Sequence, residues 1–355
     1  MEHTVNASQT RFFLPEWHEQ WGVMIAWPHH STDWVDNLEA AEQCYVELVG
    51  AIVGFEKVLL LCQDAAHRQW IETRLTQVSI ALSSIVFVEI PYDDTWARDF
   101  GFITMTTDTG LRLLDFEFTA WGGKFAASQD NGINQILFQQ SLLAHCATES
   151  HDWVLEGGSI ETDGRGTLLT TRRCLLNPNR NPDLSESELE ERLKQALGVS
   201  RVLWLNHGYL EGDDTDAHID TLARFVNPTT LVHLSCSDPA DSHFTELQAM
   251  TKELAQLTQP DGSPYTLVAI DIPPPIYRER RRLGASYVNF LMINDAILVP
   301  VYGHSESDQA ALQAIQLACP DRSVVPINCL PLIEQNGSLH CVTMQIPKGV
   351  ITGDA

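Results

Sequence analysis

Short apolar runs alternate with polar, helix-patterned stretches along the whole chain. Val58 to Leu61 has the continuous apolar character of a buried strand, and the polar stretch Asp64 to Thr76 after it reads as a helix. Ile85 to Ile90 is a β-branched strand stopped by Pro91, and Leu111 to Phe118 is strand-like with weaker alternation. Thr167 to Thr171, Val202 to Leu205, Leu231 to Leu234, Thr266 to Ile270, Ala296 to Val301, Val324 to Ile327 and Val342 to Ile346 are further short strands. Ser185 and Glu188 carry a capping-box signal for a helix over Glu188 to Leu197, which Gly198 ends. Ser305 with Asp308 opens an amphipathic helix that stops before Pro320. This alternation defines an α/β protein, and no composition shift marks a domain boundary, so residues 1–355 are expected to form one domain.

Composition narrows the partners. The 355 residues carry 22 Lys+Arg against 47 Asp+Glu, a net charge of −25, which repels phosphate backbones and argues against nucleic acid. Small cations suit that field better. Apolar residues make up 44% and charged ones 19%, the balance of a chain that buries a large core. The first residues, MEHTVNASQTRFFLPEW, lack the basic and apolar regions of a secretory leader. The richest apolar stretch, Val49 to Cys62, is interrupted by Glu56 and Lys57 and is too short to span a bilayer. A cytoplasmic location is therefore expected. The eight cysteines are scattered without a C-x-x-C pair, as suits thiols in a reducing compartment.

The signatures of elbow-type serine hydrolases, P-loop NTPases, dinucleotide enzymes and H-E-x-x-H zinc enzymes are absent from the sequence. Four other segments carry chemistry. Tyr92 to Gly101 follows a strand and gathers Trp96, Arg98, Asp93, Asp94 and Asp99 in one loop. In Leu155-Glu156-Gly157-Gly158-Ser159, two glycines let a ligand or another backbone approach the Glu156 carboxylate. Gly212 to Asp220 concentrates carboxylates around His218. Read as extended backbone, in which residues two apart point the same way, it makes His218 and Asp220 share a face, as do Asp214 and Asp216. Such neighbours raise the His218 pKa and keep it protonated near neutrality, the state of a general acid. The same cluster also offers metal ligands, though without a second His at ligand spacing. The fourth segment, Asn336 to Thr343, places Cys341 where a glycine-containing loop meets a strand.

Together these segments resemble the agmatine deiminase and bacterial (Porphyromonas-type) peptidyl-arginine deiminase family of guanidino-group-modifying enzymes. The similar stretches are WARDFG (96–101), LEGGSIETDGRGTLLTTRRCLLNPNRNP (155–182), DDTDAHIDTLARF (213–225), ASYVNF (285–290) and NGSLHCVTMQIP from Asn336 onward. The resemblance implies a five-bladed, pseudo-symmetric α/β propeller (pentein) of ββαβ units. Asp99, Glu156, His218, Asn289 and Cys341 are separated by 57, 62, 71 and 52 residues, near the 71 that make a fifth of the chain, which agrees with one group per unit.

Carried over position by position, the resemblance implies a nucleophile at Cys341 and a general acid/base at His218. It implies guanidinium-binding carboxylates at Asp99 and Asp220, and a further catalytic carboxylate at Glu156 that orients the His. Trp96, Trp121, Asp214 and Asn289 match substrate-side positions, and neither metal nor organic cofactor is implied. The expected reaction is deimination of a small cationic guanidine, agmatine first, through an amidino-cysteine. Peptidyl-arginine is the alternative substrate, and a metal-dependent amidohydrolase the more remote reading. The sequence departs from the family where Phe100 replaces a small polar residue, Ala217 replaces a glycine, and Glu334-Gln335-Asn336-Gly337 stands for a glycine run. These departures bear on specificity. The basic island of Arg278, Arg280, Arg281 and Arg282 is a candidate lid or carboxylate binder, and oligomerisation is open.

Overall fold

The structure is a computed structural model that describes residues 10–143 and 145–351; residues 1–9, on which the reading of the N-terminus partly rests, lie outside them. Five sheets repeat one pattern, an antiparallel pair extended by a parallel strand. Met344–Pro347 runs antiparallel to Gln20–Ala26, which continues in parallel through Lys57–Cys62 and Ile85–Glu89. Arg11–Phe13, Ile103–Thr107 and Gly110–Glu117 are antiparallel, and Ala147–Val154 joins in parallel. Glu161–Thr162, Thr167–Thr171 and Arg201–Leu205 form the third sheet, and Ala223–Asn227, Thr230–Ser235 and Thr266–Asp271 the fourth. Leu291–Ile293, Ala296–Val301 and Ser323–Asn328 form the fifth. A hairpin of Tyr277–Arg278 and Arg281–Arg282 stands apart from them.

A parallel neighbour requires a crossover, and helices supply it. Leu38–Ile52, Ala65–Gln77, Glu186–Leu197, Phe244–Leu254 and Ser305–Ala318 each connect two parallel strands. The capping box forms as expected: Ser185 accepts from the Glu188 N–H, Glu188 reaches back to Ser185, and Gly198 closes the helix at φ +65°. That helix buries Leu189, Leu193 and Leu197 against Leu168 and Val202. Asp64 caps Ala65–Gln77 by accepting from His67 N at 2.8 Å. Most of the remaining buried apolar side chains form a second, larger cluster that runs through the other sheets.

Three expectations shift. The apolar stretch Val49 to Cys62 is the end of one helix and the strand Lys57–Cys62, with Glu56 in the turn between them, where it accepts from Asn294 N at 2.8 Å. The last large helix begins at Ser305 itself, with His304 at its cap position. Asp308 turns instead to Tyr287 (2.7 Å) and Tyr302 N (3.1 Å). The final strand starts at Met344, because Val342 and Thr343 are spent on a turn closed by Thr343 N donating to His340 O at 3.1 Å. Among the described residues, no helix is long and apolar enough to cross a membrane.

Candidate active site

Each candidate group sits just upstream of the strand that opens the antiparallel pair of its sheet. Asp99 precedes Ile103–Thr107, Glu156 precedes Glu161–Thr162, His218 and Asp220 precede Ala223–Asn227, Asn289 precedes Leu291–Ile293, and Cys341 precedes Met344–Pro347. The loops at these five corresponding places interlock. Arg98 N donates to Cys341 O at 3.2 Å, His340 N donates to Asn289 Oδ1 at 2.9 Å, and Asn289 Nδ2 donates to Asp220 O at 3.3 Å.

Gly158 marks the point of convergence. A Cβ there would lie 2.6 Å from His218 Nδ1, 2.8 Å from Asp99 Oδ1 and 3.1 Å from Asp220 Oδ2. Only glycine leaves room for all three, and its N–H donates to Asp99 Oδ1 at 2.9 Å. The Cys341 sulfur is 3.9 Å from Asp220 Oδ2 and 3.4 Å from Asn289 Oδ1. Thiol and imidazole thus flank the same carboxylate.

The segment around His218 is not extended. Asp213 accepts from Thr215 N at 2.9 Å and from Ala217 N at 2.7 Å, and Asp216 and Ala217 take left-handed φ of +66° and +70°. The loop therefore folds back and separates Asp214 from Asp216, a pair expected to share a face, while His218 and Asp220 still meet at Gly158. Asp214 goes to the cleft, where Asn336 Nδ2 donates to it at 2.8 Å. Asp216 goes to Arg180 (2.5 Å) and Lys124 (2.9 Å). His218 points inward, with Nε2 3.2 Å from Glu156 Oε2 and Nδ1 3.5 Å from Asp99 Oδ1. Asp220 turns to His340 at 2.7 Å.

The electrostatics follow from this packing. Burial opposes protonation of His218, but Asp99, Cys174 and Glu156 outweigh it and hold its pKa well above the ordinary imidazole value. Burial also raises Glu156, yet the contacts with His218 and Arg180 bring it below the usual carboxylate value. Asp99 is pushed up to about 6 by burial and by the nearby Asp220 and Glu156 charges, against the pull of His218. Burial, Asp220 and Asp99 raise the Cys341 thiol well above its ordinary value, so it is protonated while the site is empty.

Cys341, Asp99, Trp96, Trp121 and Asp214 line a cleft of about 380 Å³ together with Asp33, Asp94, Phe125 and Asn336. Trp121 Nε1 donates to Asp99 Oδ2 at 2.9 Å, and the Trp96 and Trp121 rings meet edge to face at 6.2 Å. Burial pushes Asp94 up to about 7 and Asp214 up to about 6. Among the described residues, no Lys or Arg lines this cleft. Asn289 is fully buried beneath Cys341 rather than on the cleft wall. The basic island reaches the cleft rim but is already paired: Arg281 donates to Asn336 Oδ1 and to Glu334 O (2.8 Å), Arg278 pairs with Glu334, and Arg282 pairs with Asp241 at 2.7 Å.

Among the described residues, one group could hold a metal: Glu156, Cys174 and His218, all buried, with ligand atoms within 4.8 Å of one another. Arg180 already donates to both Glu156 oxygens at 2.8 and 3.1 Å, and a protonated His218 has no lone pair to offer, so these groups do not fit a cation. Sequence reasoning passed over Arg180, Glu16 and His340. Arg180 lies within the 155–182 stretch that carries the resemblance but is given no role there, His340 adjoins the nucleophile candidate, and nothing around Glu16 signals a role.

An acidic cleft lined by a thiol and Asp99, with a buried imidazolium and the carboxylates of Glu156 and Asp220 packed behind them, suits an enzyme of covalent hydrolysis on a flat cation. Residues 12–347 match the model of the Porphyromonas-type peptidyl-arginine deiminase family, and the chain belongs to that family of guanidino C–N hydrolases. A putative agmatine deiminase of Legionella pneumophila is 34% identical over 353 residues, covering 98% of each chain. A C. jejuni agmatine deiminase, solved as a Cys-to-Ser variant with substrate bound, superposes with a TM-score of 0.90 at 37% identity, over 98% of this chain and 99% of the other. A putative arginine deiminase of Porphyromonas gingivalis superposes with a TM-score of 0.90 at 46% identity, over 96% and 100%.

Proposed function

We propose that this chain hydrolyses agmatine to N-carbamoylputrescine and ammonia through a covalent intermediate on Cys341. The observation that carries the choice of substrate is the cleft lining: Asp33, Asp94 and Asp214 around aromatic walls, with no cation to receive a carboxylate. A guanidinium at one end and an ammonium at the other match that lining. Arginine, free or in a peptide, brings a carboxylate or amide, whereas Arg281 at the rim is committed to Asn336 and Glu334, Arg278 to Glu334 and Arg282 to Asp241.

A guanidinium carbon is a weak electrophile because its charge is delocalised. Asp99 and Asp220 grip opposite edges of the plane and concentrate positive charge on that carbon. Asp220 Oδ1 is buried without a hydrogen-bond partner among the described residues, which suits a donor brought by the substrate. The bound cation offsets the negative field that keeps Cys341 protonated, so the thiol loses its proton to cleft water and the thiolate attacks. His218, held by Glu156, protonates the departing nitrogen as the C–N bond breaks, and ammonia leaves. The neutral imidazole then takes a proton from water, whose oxygen attacks the amidino-thioether carbon. The C–S bond breaks, and the ureido product and Cys341 are released.

The same reading takes residues 1–355 as one domain, its five sheets as the blades of a five-bladed propeller, and the five interlocked loops as its axis. It places the protein in the cytoplasm, consistent with eight free cysteines. The test is ammonia release from agmatine, arginine and a peptide with C-terminal Arg, each beside Cys341→Ala. Agmatine turnover abolished by the substitution supports the reading. Release from arginine or the peptide but not from agmatine overturns the substrate, and unchanged turnover in Cys341→Ala overturns the covalent route.

A further inference from the structure

His340 stands beside the nucleophile but outside the cleft, 2% exposed, with both ring nitrogens engaged by carboxylates. Nδ1 is 2.7 Å from Asp220 Oδ2 and Nε2 is 2.7 Å from Glu16 Oε2. Contacts this short to two acceptors need a hydrogen on each nitrogen, whichever group owns the extra proton. Glu16 is fixed in turn. Its Oε2 accepts from Arg224 Nη2 at 2.6 Å and its Oε1 from Met292 N at 2.7 Å, while Arg98 Nη2 lies 3.7 Å away. Arg98 Nε also donates to His340 O at 3.4 Å, and Arg224 bridges on to Glu161. The other oxygen of Asp220, Oδ1, has no hydrogen-bond partner among the described residues. Oδ2 is held by His340 and also lies 3.9 Å from the Cys341 sulfur, while Oδ1 is buried with its hydrogen-bonding capacity unused.

We propose that Glu16 and His340 are positioning residues that clamp Asp220 by its Oδ2 and so present Oδ1 to the guanidinium. The inference rests on the functional reading above and deepens it. A carboxylate held by one charge-assisted hydrogen bond to a rigid ring keeps its plane fixed when the cation arrives. Without that bond, Asp220 rotates about its side-chain torsions and spends its charge on neighbours. Arg224, Arg98 and Glu161 surround the clamp, so the ring is also what keeps Asp220 apart from the buried arginines.

The two amide variants of His340 separate this role from a merely structural one. His340→Asn places an amide N–H near the position of Nδ1 and preserves the donor to Asp220. His340→Gln places it near Nε2, preserves the contact with Glu16 and abandons Asp220. The first readout is labelling of Cys341, by intact mass, with chloroacetamidine (a cationic amidine) and with neutral iodoacetamide; the second is KM and kcat for agmatine. In His340→Gln the preference for the amidine over iodoacetamide should fall about tenfold and KM should rise about tenfold, more than kcat changes. His340→Asn should stay within about threefold of wild type on both. If His340→Gln does not fold by circular dichroism, Glu16→Gln carries the test, with a loss of preference of about threefold or more expected. Equal losses in the two His340 variants, an unaltered preference in His340→Gln, or an unaltered preference in Glu16→Gln where that variant stands in, overturn the clamp alone. A wild-type chain with no preference for the amidine overturns the clamp and the functional reading together.

Discussion

Asn336 donates its side-chain amide to Asp214 Oδ2 at 2.8 Å, closing the cleft rim between loops 122 residues apart. The contact steadies a carboxylate whose other neighbours leave it facing the cavity. Asp214→Asn should therefore raise KM for agmatine about tenfold and leave kcat within a few-fold, because the distal amine is bound equally in ground and transition states. Steady-state kinetics on agmatine check this; an unchanged KM removes Asp214 from the binding site.

The two buried thiols near His218 should behave differently. Cys341 lines the cleft, whereas Cys174 lies behind Glu156, with its sulfur 3.9 Å from Glu156 Oε2. Cys341→Ser should lower kcat by about a thousandfold or more, and Cys174→Ala by about tenfold at most, since it removes a neighbour of His218 and Glu156 rather than the proposed nucleophile. Single-turnover trapping followed by peptide mass mapping should find the amidino adduct on residue 341.

Acid should weaken binding of the cation. Burial raises Asp94 to about 7, and raises Asp214 and Asp99 to about 6, so in the empty enzyme these groups carry full charge only above those values. The guanidinium stays protonated throughout. As pH falls from 8 to 5 the carboxylates take up protons that a bound cation must displace, and KM should rise about tenfold or more. Binding near pH 6.5 should release protons, visible as a dependence of the calorimetric heat on buffer ionisation enthalpy. No proton release at that pH would show that these carboxylates do not meet the ligand's charge.

Gly158 tests the geometry of convergence. A methyl group at this position collides with His218 and Asp99 at under 3 Å, and both are held by further partners that resist displacement. Gly158→Ala should lose at least about a hundredfold in kcat/KM, and overpacking should lower stability by about 1–3 kcal/mol. Activity within threefold of wild type would mean that the three groups need not meet there.

Ala217 offers the reverse case. It holds φ of +70°, where a Cβ is unfavourable and a glycine is not. Ala217→Gly should raise stability by about 0.5–1 kcal/mol in denaturant unfolding, with the hydrogen bond from Thr171 Oγ1 to Ala217 O (2.7 Å) retained. A loss of stability would show that the loop, not the residue, pays for the conformation.

Local pattern made some elements legible. The capping box at Ser185, the strands Thr167–Thr171 and Ala296–Val301, and the α/β alternation all rest on contacts within a few residues, which the order of side chains encodes directly. Leu38–Ile52 was harder to see because Asn37 makes no side-chain cap bond and the apolar run continues past the helix end. The candidate groups were legible as residue types in distinctive segments, and so was the raised pKa of His218, although its cause proved to be Asp99, Cys174 and Glu156 rather than the acids beside it in sequence.

Direction is what the amino-acid order alone left open. Asp214, Asp216, His218 and Asp220 lie within seven residues, yet two left-handed residues and the side chain of Asp213 send them to four different partners. Glu16 reaches His340 across 324 residues, and Arg180 reaches back to Glu156 across 24. Such pairings form because many packed sheets and loops each contribute a small bias, and a buried charge accepts whichever partner that packing delivers. The chain by itself determined which chemical groups were available and which short segments would be strands or helices. Tertiary structure decided which of those groups face one another, because that depends on backbone turns and long-range packing that no local spacing records.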